Sequence, residues 1–226
     1  MATTTATSAA AHEAHEVSHP SHLKHYFVSS EQQFDAAKLG MWLFLVTEIL
    51  LFSGMFVAYT VFRVWHPEVF VEASTELNPF LGGLNTVVLL LSSLTVALAI
   101  HAAQNDDRSA LVRNLVITVL LAAVFMVVKY FEYTHKFHLG IFPGGFYSYE
   151  EMAMPYVPLF FSIYFVMTGI HGIHVLIGMA LLSWLATRAY RGHFSSEYYT
   201  PVELCGLYWH IVDIIWIFLF PLMYLI

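Results

Sequence analysis

The sequence predicts an all-α membrane protein, a polytopic bundle of five transmembrane helices. Of its 226 residues, 58% are hydrophobic and only 11% are charged, and the mean hydropathy is +0.67. This composition excludes an ordinary soluble domain. The apolar residues form five runs, each long enough to cross a hydrocarbon core of ~30 Å. The longest connection between runs, residues 134–154, is too short to fold as a domain, so we expect the helices to carry the function.

The first span runs from about residue 36 to 64 and ends before His66-Pro67. The second begins at Pro79, a favourable first-turn residue, and ends near residue 104. The third covers residues 111–133. The fourth, residues 155–190, is longer than a bilayer requires and should tilt or protrude. The fifth covers residues 202–226.

The N-terminal residues 1–33 are expected to be a flexible, His-rich tail before a five-helix domain at 34–226. The tail lacks the basic start and apolar run of a signal peptide. Its histidines recur every three or four residues, a pattern that can bind metal. Because Pro20 interrupts the run and no frame of cysteines or carboxylates accompanies it, we expect a solvated tail without metal. These histidines are His12, His15, His19, His22 and His25.

Charge and cysteine content narrow the chemistry further. The single Cys205 excludes an intramolecular disulfide, a Cys-rich zinc site and a cysteine-ligated iron–sulfur cluster. The net charge of −7 comes with no basic run, which argues against a nucleic-acid partner. An odd number of spans puts the termini on opposite sides, and the positive-inside rule favours a cytoplasmic N-terminus. The inner segments then carry Lys24, Lys38, Arg108, Arg113, Arg188 and Arg191, and the outer segments Arg63, Lys129 and Lys136.

Glu48 lies near the centre of the first span, and we expect it to be the only acid so placed. A charged carboxylate there costs on the order of 2.5–3.5 kcal/mol, so it should be protonated or paired, and it is a functional-site hypothesis. The alternative is a neutral Glu48 that only hydrogen-bonds a neighbouring helix. With no second central acid to continue from it, a complete proton path through the chain is not expected.

Other polar residues recur at helical spacing within the spans and predict a structural polar network. Lys129 and Glu132 are three residues apart and are expected to pair near the outer interface. Each hydrogen bond between such groups stabilises the association of transmembrane helices by roughly 0.6–2 kcal/mol. The remaining members of the predicted network are His171, His174, Glu203, His210 and Asp213.

Three chemical interpretations compete for these residues. Histidines on facing helices can ligate haem iron, and carboxylate–histidine chains can relay protons or ions. However, His171 and His174 are too close on one helix to ligate two stacked haems, and the acids are too few for a relay. Packing and assembly of the helices fit the residues better. The haem candidates are His101, His171, His174 and His210.

Five segments together resemble subunit III of haem-copper terminal oxidases, over the chain from about Phe34 onward. They are residues 38–56, the Leu84-Asn85-Thr86 start of the second span, KYFEY at 129–133, TGIHGIHVLIG at 168–178 and ELCGLYWHIVDIIWIFLFPLMY at 203–224. Long family members have seven helices, the first two across a lipid-filled cleft. The present sequence is similar to the short, five-helix bacterial form.

The resemblance implies a non-catalytic subunit of a bacterial respiratory oxidase, which reduces dioxygen to water with electrons from cytochrome c or quinol. It implies direct contact with subunit I, which holds the haems and copper, and a complex with subunit II and others in the cytoplasmic membrane. The resemblance implies no cofactor bound by this chain itself. It does imply that the chain binds phospholipid, supports proton uptake by the complex and contributes to an oxygen route. The family's carbodiimide-reactive carboxylate corresponds to Glu48 by motif. Alternatives are an accessory protein of a nitric oxide reductase, an oxidase assembly factor or an autonomous proton or ion carrier.

Overall fold

Six α-helices follow one another along the part of the chain that the computed structural model describes, residues 23–143, 146–149, 152 and 154–226. All except α2 are long and apolar enough to cross a membrane, so the predicted all-α class with five spans is confirmed. The helices are α1 (Ser30–Trp65), α2 (Pro67–Ser74), α3 (Pro79–Gln104), α4 (Arg108–His138), α5 (Val157–Tyr190) and α6 (Thr200–Tyr224).

The second span has the predicted bounds because its cap is encoded locally. Asn78 accepts hydrogen bonds from the amides of Phe80 and Leu81 at 3.0 and 3.2 Å, and Pro79 takes the first turn, where no amide donor is needed. The first span begins earlier than predicted. There Ser29 Oγ accepts from the Gln32 amide at 3.1 Å, which starts α1 at Ser30.

The predicted end of the third span at Tyr133 is wrong, because α4 continues to His138. Its polar last turns remain helical since their side chains find partners there. Thr134 Oγ1 donates to the Tyr130 carbonyl at 2.8 Å, and Lys136 is 2% exposed. The connection to α5 therefore begins at Leu139. The short α2, opened by Pro67, was not predicted.

Helices α3 to α6 pack closely around two buried tryptophans of α6. The Trp209 and Trp216 indoles donate to Ser92 Oγ and Thr86 Oγ1 of α3 at 3.0 and 3.1 Å. Gly178 of α5 makes room for Trp209, because a Cβ at this glycine would lie 2.6 Å from the indole ring. Close approach through small residues is the usual way in which membrane helices gain packing energy.

Successive long helices alternate in direction, so the bundle has two ends. The His66 end holds His66, the N-terminus of α3 and the C-termini of α4 and α6. The Asp106 end holds the α3–α4 turn and the start of α1. Helix α1 lies outside the closely packed helices, against α6 and α5, and buries only Leu45, Phe52 and Tyr59. Of the histidines predicted in a flexible tail, His25 is exposed, and His12, His15, His19 and His22 lie outside the described residues.

Candidate functional site

Glu48 at the middle of α1 contacts His174 of α5. Glu48 Oε2 lies 2.8 Å from His174 Nε2, and both side chains are about 85% buried. His174 Nδ1 lies 2.8 Å from the Ile170 carbonyl, which can only accept, so Nδ1 carries a proton. One further proton is then shared between Glu48 and Nε2. The pair is net neutral whether it is glutamic acid with imidazole or carboxylate with imidazolium.

The neighbours of this pair hold His174 in place. Phe52 packs edge-on against the imidazole with ring centroids 5.3 Å apart. Tyr208 Oη donates to the backbone carbonyl of His174 at 3.1 Å. The Glu48–His174 contact thus joins α1 to α5, and its local shell includes a side chain from α6.

A second polar group, the ionic cluster, joins α4, α5 and α6 near the His66 end. We define it as Lys129, Glu132, Lys136, Tyr164 and Tyr224. Lys129 Nζ lies 3.0 Å from Glu132 Oε2, so the predicted pair is present. The Tyr164 and Tyr224 hydroxyls donate to Glu132 Oε1 at 2.8 and 2.5 Å. Glu132 and Lys129 are each 7% exposed, which is tolerated because both are paired and hydrogen-bonded.

The two lysines of the ionic cluster are held differently. Lys129 Nζ also donates to the Tyr224 and Tyr164 hydroxyls at 2.7 and 3.3 Å, which satisfies its three protons. Lys136 Nζ lies 3.5 Å from Glu132 Oε1 and 3.5 Å from the Glu76 carbonyl. These distances exceed those of ordinary hydrogen bonds. Lys136 is therefore buried with weak protein partners.

His210 and Asp213 of α6, two members of the predicted polar network, both lie beside serines of α3. His210 Nδ1 lies 2.6 Å from Ser93 Oγ of α3. Both oxygens of Asp213 are buried without a hydrogen-bond partner among the described residues. The nearby Ser92 hydroxyl donates to the Leu89 carbonyl, whereas the Ser93 hydroxyl can accept from His210 Nδ1 and keep its own proton for Asp213.

Asp213 corrects the expectation that Glu48 is the only acid near a helix centre. It lies midway along α6 and is 2% exposed, so two central acids exist, on different helices. Glu203, the other predicted acid of α6, pairs with Lys38 Nζ of α1 at 2.7 Å near the Asp106 end. Glu203 can be predicted from the sequence as a network member, but its partner Lys38 cannot, because nothing in a linear pattern relates two helices that are distant in the chain.

The four histidines proposed as haem candidates lie in separate surroundings. His171 is fully buried between Phe125 and Trp216, and neither ring nitrogen has a partner among the described residues. His101 lies in the last turn of α3 beside Asn105. With His174 bonded to Glu48 and His210 to Ser93, none of the four faces another across the bundle.

Several functional-type residues were missed by sequence reasoning, and most are tyrosines. Tyr164 and Tyr224 complete the ionic cluster. Tyr59 of α1 donates to the Leu222 carbonyl of α6 and accepts from Arg63 Nη1 at 3.1 Å. Each of these residues is a tyrosine within an apolar span, where its hydroxyl needs a hydrogen-bond partner, and this is the sequence feature that could have identified it.

Comparison with known proteins supports the resemblance seen in the sequence. The family described as cytochrome c oxidase subunit III matches residues 16–226. Cytochrome c oxidase subunit 3 of a Synechocystis species is 35% identical over 85% of this chain and 76% of its own length. The protein of that name from Thermostichus vulcanus is 34% identical over 85% of this chain and 88% of its own length. The one from Xenopus laevis is 34% identical over 82% of this chain and 67% of its own length. The chain belongs to the cytochrome c oxidase subunit III family.

Proposed function

We propose that this chain is the non-catalytic accessory subunit III of a bacterial haem-copper oxidase, which reduces dioxygen to water. The family match over residues 16–226 carries the proposal. The bundle supports it, because the polar side chains inside the spans mainly tie helices together. Glu48–His174 links α1 to α5, Lys38–Glu203 links α1 to α6, and the ionic cluster links α4 to α6. Such a bundle is suited to stabilise a partner that carries the redox chemistry.

The partner in this proposal is the catalytic subunit I, contacted directly, with subunit II and further subunits in the same complex. Haem and copper belong to subunit I, and this chain binds neither. The described histidines support that assignment, since His174 and His210 are engaged inside the bundle and His171 is enclosed by aromatic rings.

Membrane phospholipid is the second proposed partner. A cavity of about 440 Å³ lies between α1 and α6. Its wall is mostly apolar, which suits an acyl chain better than a polar ligand. The wall includes Trp42, Ile49, Phe52, Phe56, Ile214 and Phe218.

The proposed location is the bacterial cytoplasmic membrane, with the N-terminus in the cytoplasm and the C-terminus in the periplasm. The Asp106 end carries six of the nine Lys and Arg residues. At the His66 end, Lys129 and Lys136 are buried in the ionic cluster, which leaves Arg63 as the basic residue outside it. The positive charge available to the cytoplasmic surface is thus concentrated at the Asp106 end.

Glu48 is proposed as the proton-linked, carbodiimide-reactive carboxylate. The proton that it shares with His174 Nε2 supports this role, because the protonated acid is the species that a carbodiimide attacks. Treatment of the complex with dicyclohexylcarbodiimide should modify Glu48, as read by peptide mass. Glu48→Gln should abolish that modification, and modification of another acid in its place would contradict the assignment.

Co-purification tests the proposed function. The tagged chain, extracted in mild detergent, should carry a haem-bearing large subunit and dioxygen reductase activity. Isolation without a haem-bearing subunit would overturn the oxidase assignment and leave an assembly factor or an ion carrier. A nitric oxide reductase in the purified complex would favour that alternative. A Soret band from the separated chain would contradict the absence of a cofactor of its own.

A further inference from the structure

A polar cavity opens at the His66 end, between the α2–α3 connection and the last turns of α4. Its volume is about 540 Å³. Leu81 forms part of its wall on α3. Leu77, Pro79 and Phe131 are the other apolar residues of the wall, which is more polar than the walls of the cavities lined by α1 and α6 and by α4 and α5. Its charged and polar residues are Thr75, Glu76, Asn78, Glu132, His135 and Lys136. We call this cavity the polar cleft.

Lys136 is the buried group that the protein leaves least satisfied in the polar cleft. It is 2% exposed, and its two nearest acceptors both lie 3.5 Å from Nζ. An ammonium has three protons to donate, and ordinary hydrogen bonds from nitrogen to oxygen measure about 2.7–3.2 Å. These two contacts leave the ammonium without a hydrogen bond of ordinary length, and a water molecule in the adjoining cavity can accept one.

The charges around the polar cleft favour a neutral ligand. Lys136 faces two carboxylates, Glu132 of its own helix and Glu76 of the α2–α3 connection. The Tyr149 hydroxyl, from the α4–α5 connection, donates to Glu76 Oε1 at 3.2 Å. Because Glu132 also pairs with Lys129, two ammonium groups face two carboxylates, which leaves no excess positive charge for an anion. At about 30 Å³ per water molecule, the cavity has room for many water molecules.

We propose that the polar cleft is a water-filled inlet that connects the aqueous phase at the His66 end to the ionic cluster. Its water accepts hydrogen bonds from Lys136 and lets Glu132 and its partners exchange protons with that side of the membrane. The inlet ends at Glu132 and Lys136, and Glu132 in turn contacts Lys129 and the two tyrosine hydroxyls. This inference concerns the bundle itself and holds whichever complex contains the chain.

A second cavity that reaches Lys129 provides the contrast. It measures about 370 Å³ and lies between α4 and α5. Its wall is mainly aromatic and aliphatic, with Phe125, Met126, Phe137 and Ile173 among its residues. Such a groove suits acyl chains, so water reaches the ionic cluster from the His66 end and not from the lipid.

Thiol labelling of the oxidase complex in membrane vesicles tests the inlet. In a Cys205→Ser background, Leu81→Cys reports on the wall of the polar cleft, Thr75→Cys on its rim and Ile173→Cys on the apolar groove. A membrane-impermeant methanethiosulfonate reacts with the thiolate, which forms only where water reaches the sulfur. The mass of this subunit measures the extent of reaction.

Leu81→Cys should react about 100-fold faster than Ile173→Cys, because only the former thiol can ionise in water. The reaction should need reagent on the side of the His66 end. Equal, slow reaction of Leu81→Cys and Ile173→Cys while Thr75→Cys reacts would overturn the inlet. Reaction of Leu81→Cys only from the opposite side would overturn its direction.

Hydroxyl-radical footprinting of the unsubstituted complex gives an independent reading that needs no variant to fold. Radicals made from bound water oxidise the side chains beside it. Leu81 should be oxidised, and Leu176 of the apolar groove should remain unmodified. Protection of Leu81 to the level of Leu176 would contradict a water-filled cleft.

Discussion

Helices α1 and α6 are both apolar spans, but they are held in the bundle by different means. In the most apolar stretch of α6, 50% of residues are buried within the chain, against 11% in α1. The buried residues of α1, Leu45, Phe52 and Tyr59, recur every seven residues and make one narrow stripe. In α6 the buried positions surround most of the helix.

The polar contacts of the two helices differ accordingly. Helix α1 is attached at three levels along its length, by Lys38–Glu203, Glu48–His174 and the Tyr59 hydroxyl on the Leu222 carbonyl. Helix α6 adds such bonds to close packing. Because lipid is as apolar as the helices, burial alone does not drive association in a membrane. A sparsely packed helix such as α1 depends more on its hydrogen bonds.

The largest effect is expected where α6 shares a buried charge network. Glu132→Leu leaves Lys129 and Lys136 buried without their carboxylate, and removal of one member of a buried ion pair costs about 3–5 kcal/mol. The thermal unfolding temperature and the fraction of the subunit retained in the purified complex should both fall sharply. Glu72→Leu, at an exposed site of α2, is the control. Retention equal to that of the control would show that the ionic cluster is not needed for the fold.

Packing should distinguish the two helices through a matched pair of glycines. Gly178→Ala places a methyl group 2.6 Å from the Trp209 ring of α6, and overpacking of this kind costs about 1–3 kcal/mol. Gly54→Ala on α1 meets nothing within 4 Å, so it should be neutral. Detergent-induced dissociation measures both. Equal sensitivity of the two variants would mean that a partner covers α1 as closely as α5 covers α6.

The hydrogen bond from α1 to α5 is tested by a polar and an apolar substitution of Glu48. Glu48→Leu removes the partner of His174 and should weaken α1 attachment by roughly 0.6–2 kcal/mol. Glu48→Gln can still donate to His174 Nε2, so it should keep assembly and the initial oxidase rate. Cross-linking of cysteines placed at Phe56 of α1 and Phe218 of α6, whose rings lie 6.4 Å apart, with a short bifunctional thiol reagent reports on the attachment of α1. If Glu48→Gln loses the complex, the carboxylate acts as a structural ion.

The ion pair at the Asp106 end should contribute less. Lys38 has 39% of its side chain exposed, so water and salt weaken its attraction to Glu203, and such pairs contribute about 0.2–1 kcal/mol. Lys38→Gln should slightly increase the separation of α1 from α6 at low salt. At high salt the variant and the unsubstituted chain should behave alike. The rate of cross-linking between cysteines placed at Phe56 and Phe218 is the measurement. An effect independent of salt would indicate a packing role for the lysine stem.

The smallest effect concerns the loops outside the spans. The Ser196 amide and hydroxyl donate to Asp106 at 2.7 and 2.6 Å and hold the pKa of that carboxyl below its ordinary 3.8. Because the folded-state pKa is the lower one, the contact is fully present above pH 3.8 and is lost as pH falls through the lowered value. Exchange of the Ser196 amide, corrected for intrinsic rates, should rise there. Asp106→Asn should remove this pH dependence, and its persistence would assign it elsewhere.

By itself, the sequence determined the all-α class, five spans and the family. Long apolar runs have few structural solutions in a bilayer, and local signals such as Asn78-Pro79 set helix starts. It also indicated the Lys129–Glu132 pair, because residues three apart share a helix face. Its errors were local too: the polar last turns of α4 looked like a loop, since their partners are not visible along the chain.

Only the tertiary structure decided which polar residues meet. Glu48 and His174 are 126 residues apart, and no spacing rule relates them. The same holds for Lys38 with Glu203 and for Tyr224 with Glu132. Asp213, a predicted member of the polar network, lies beside Ser92 and Ser93 of a helix more than 100 residues earlier in the chain. Helical periodicity assigns a residue to a face of its own helix, but the rotation and depth of neighbouring helices depend on packing along their whole length.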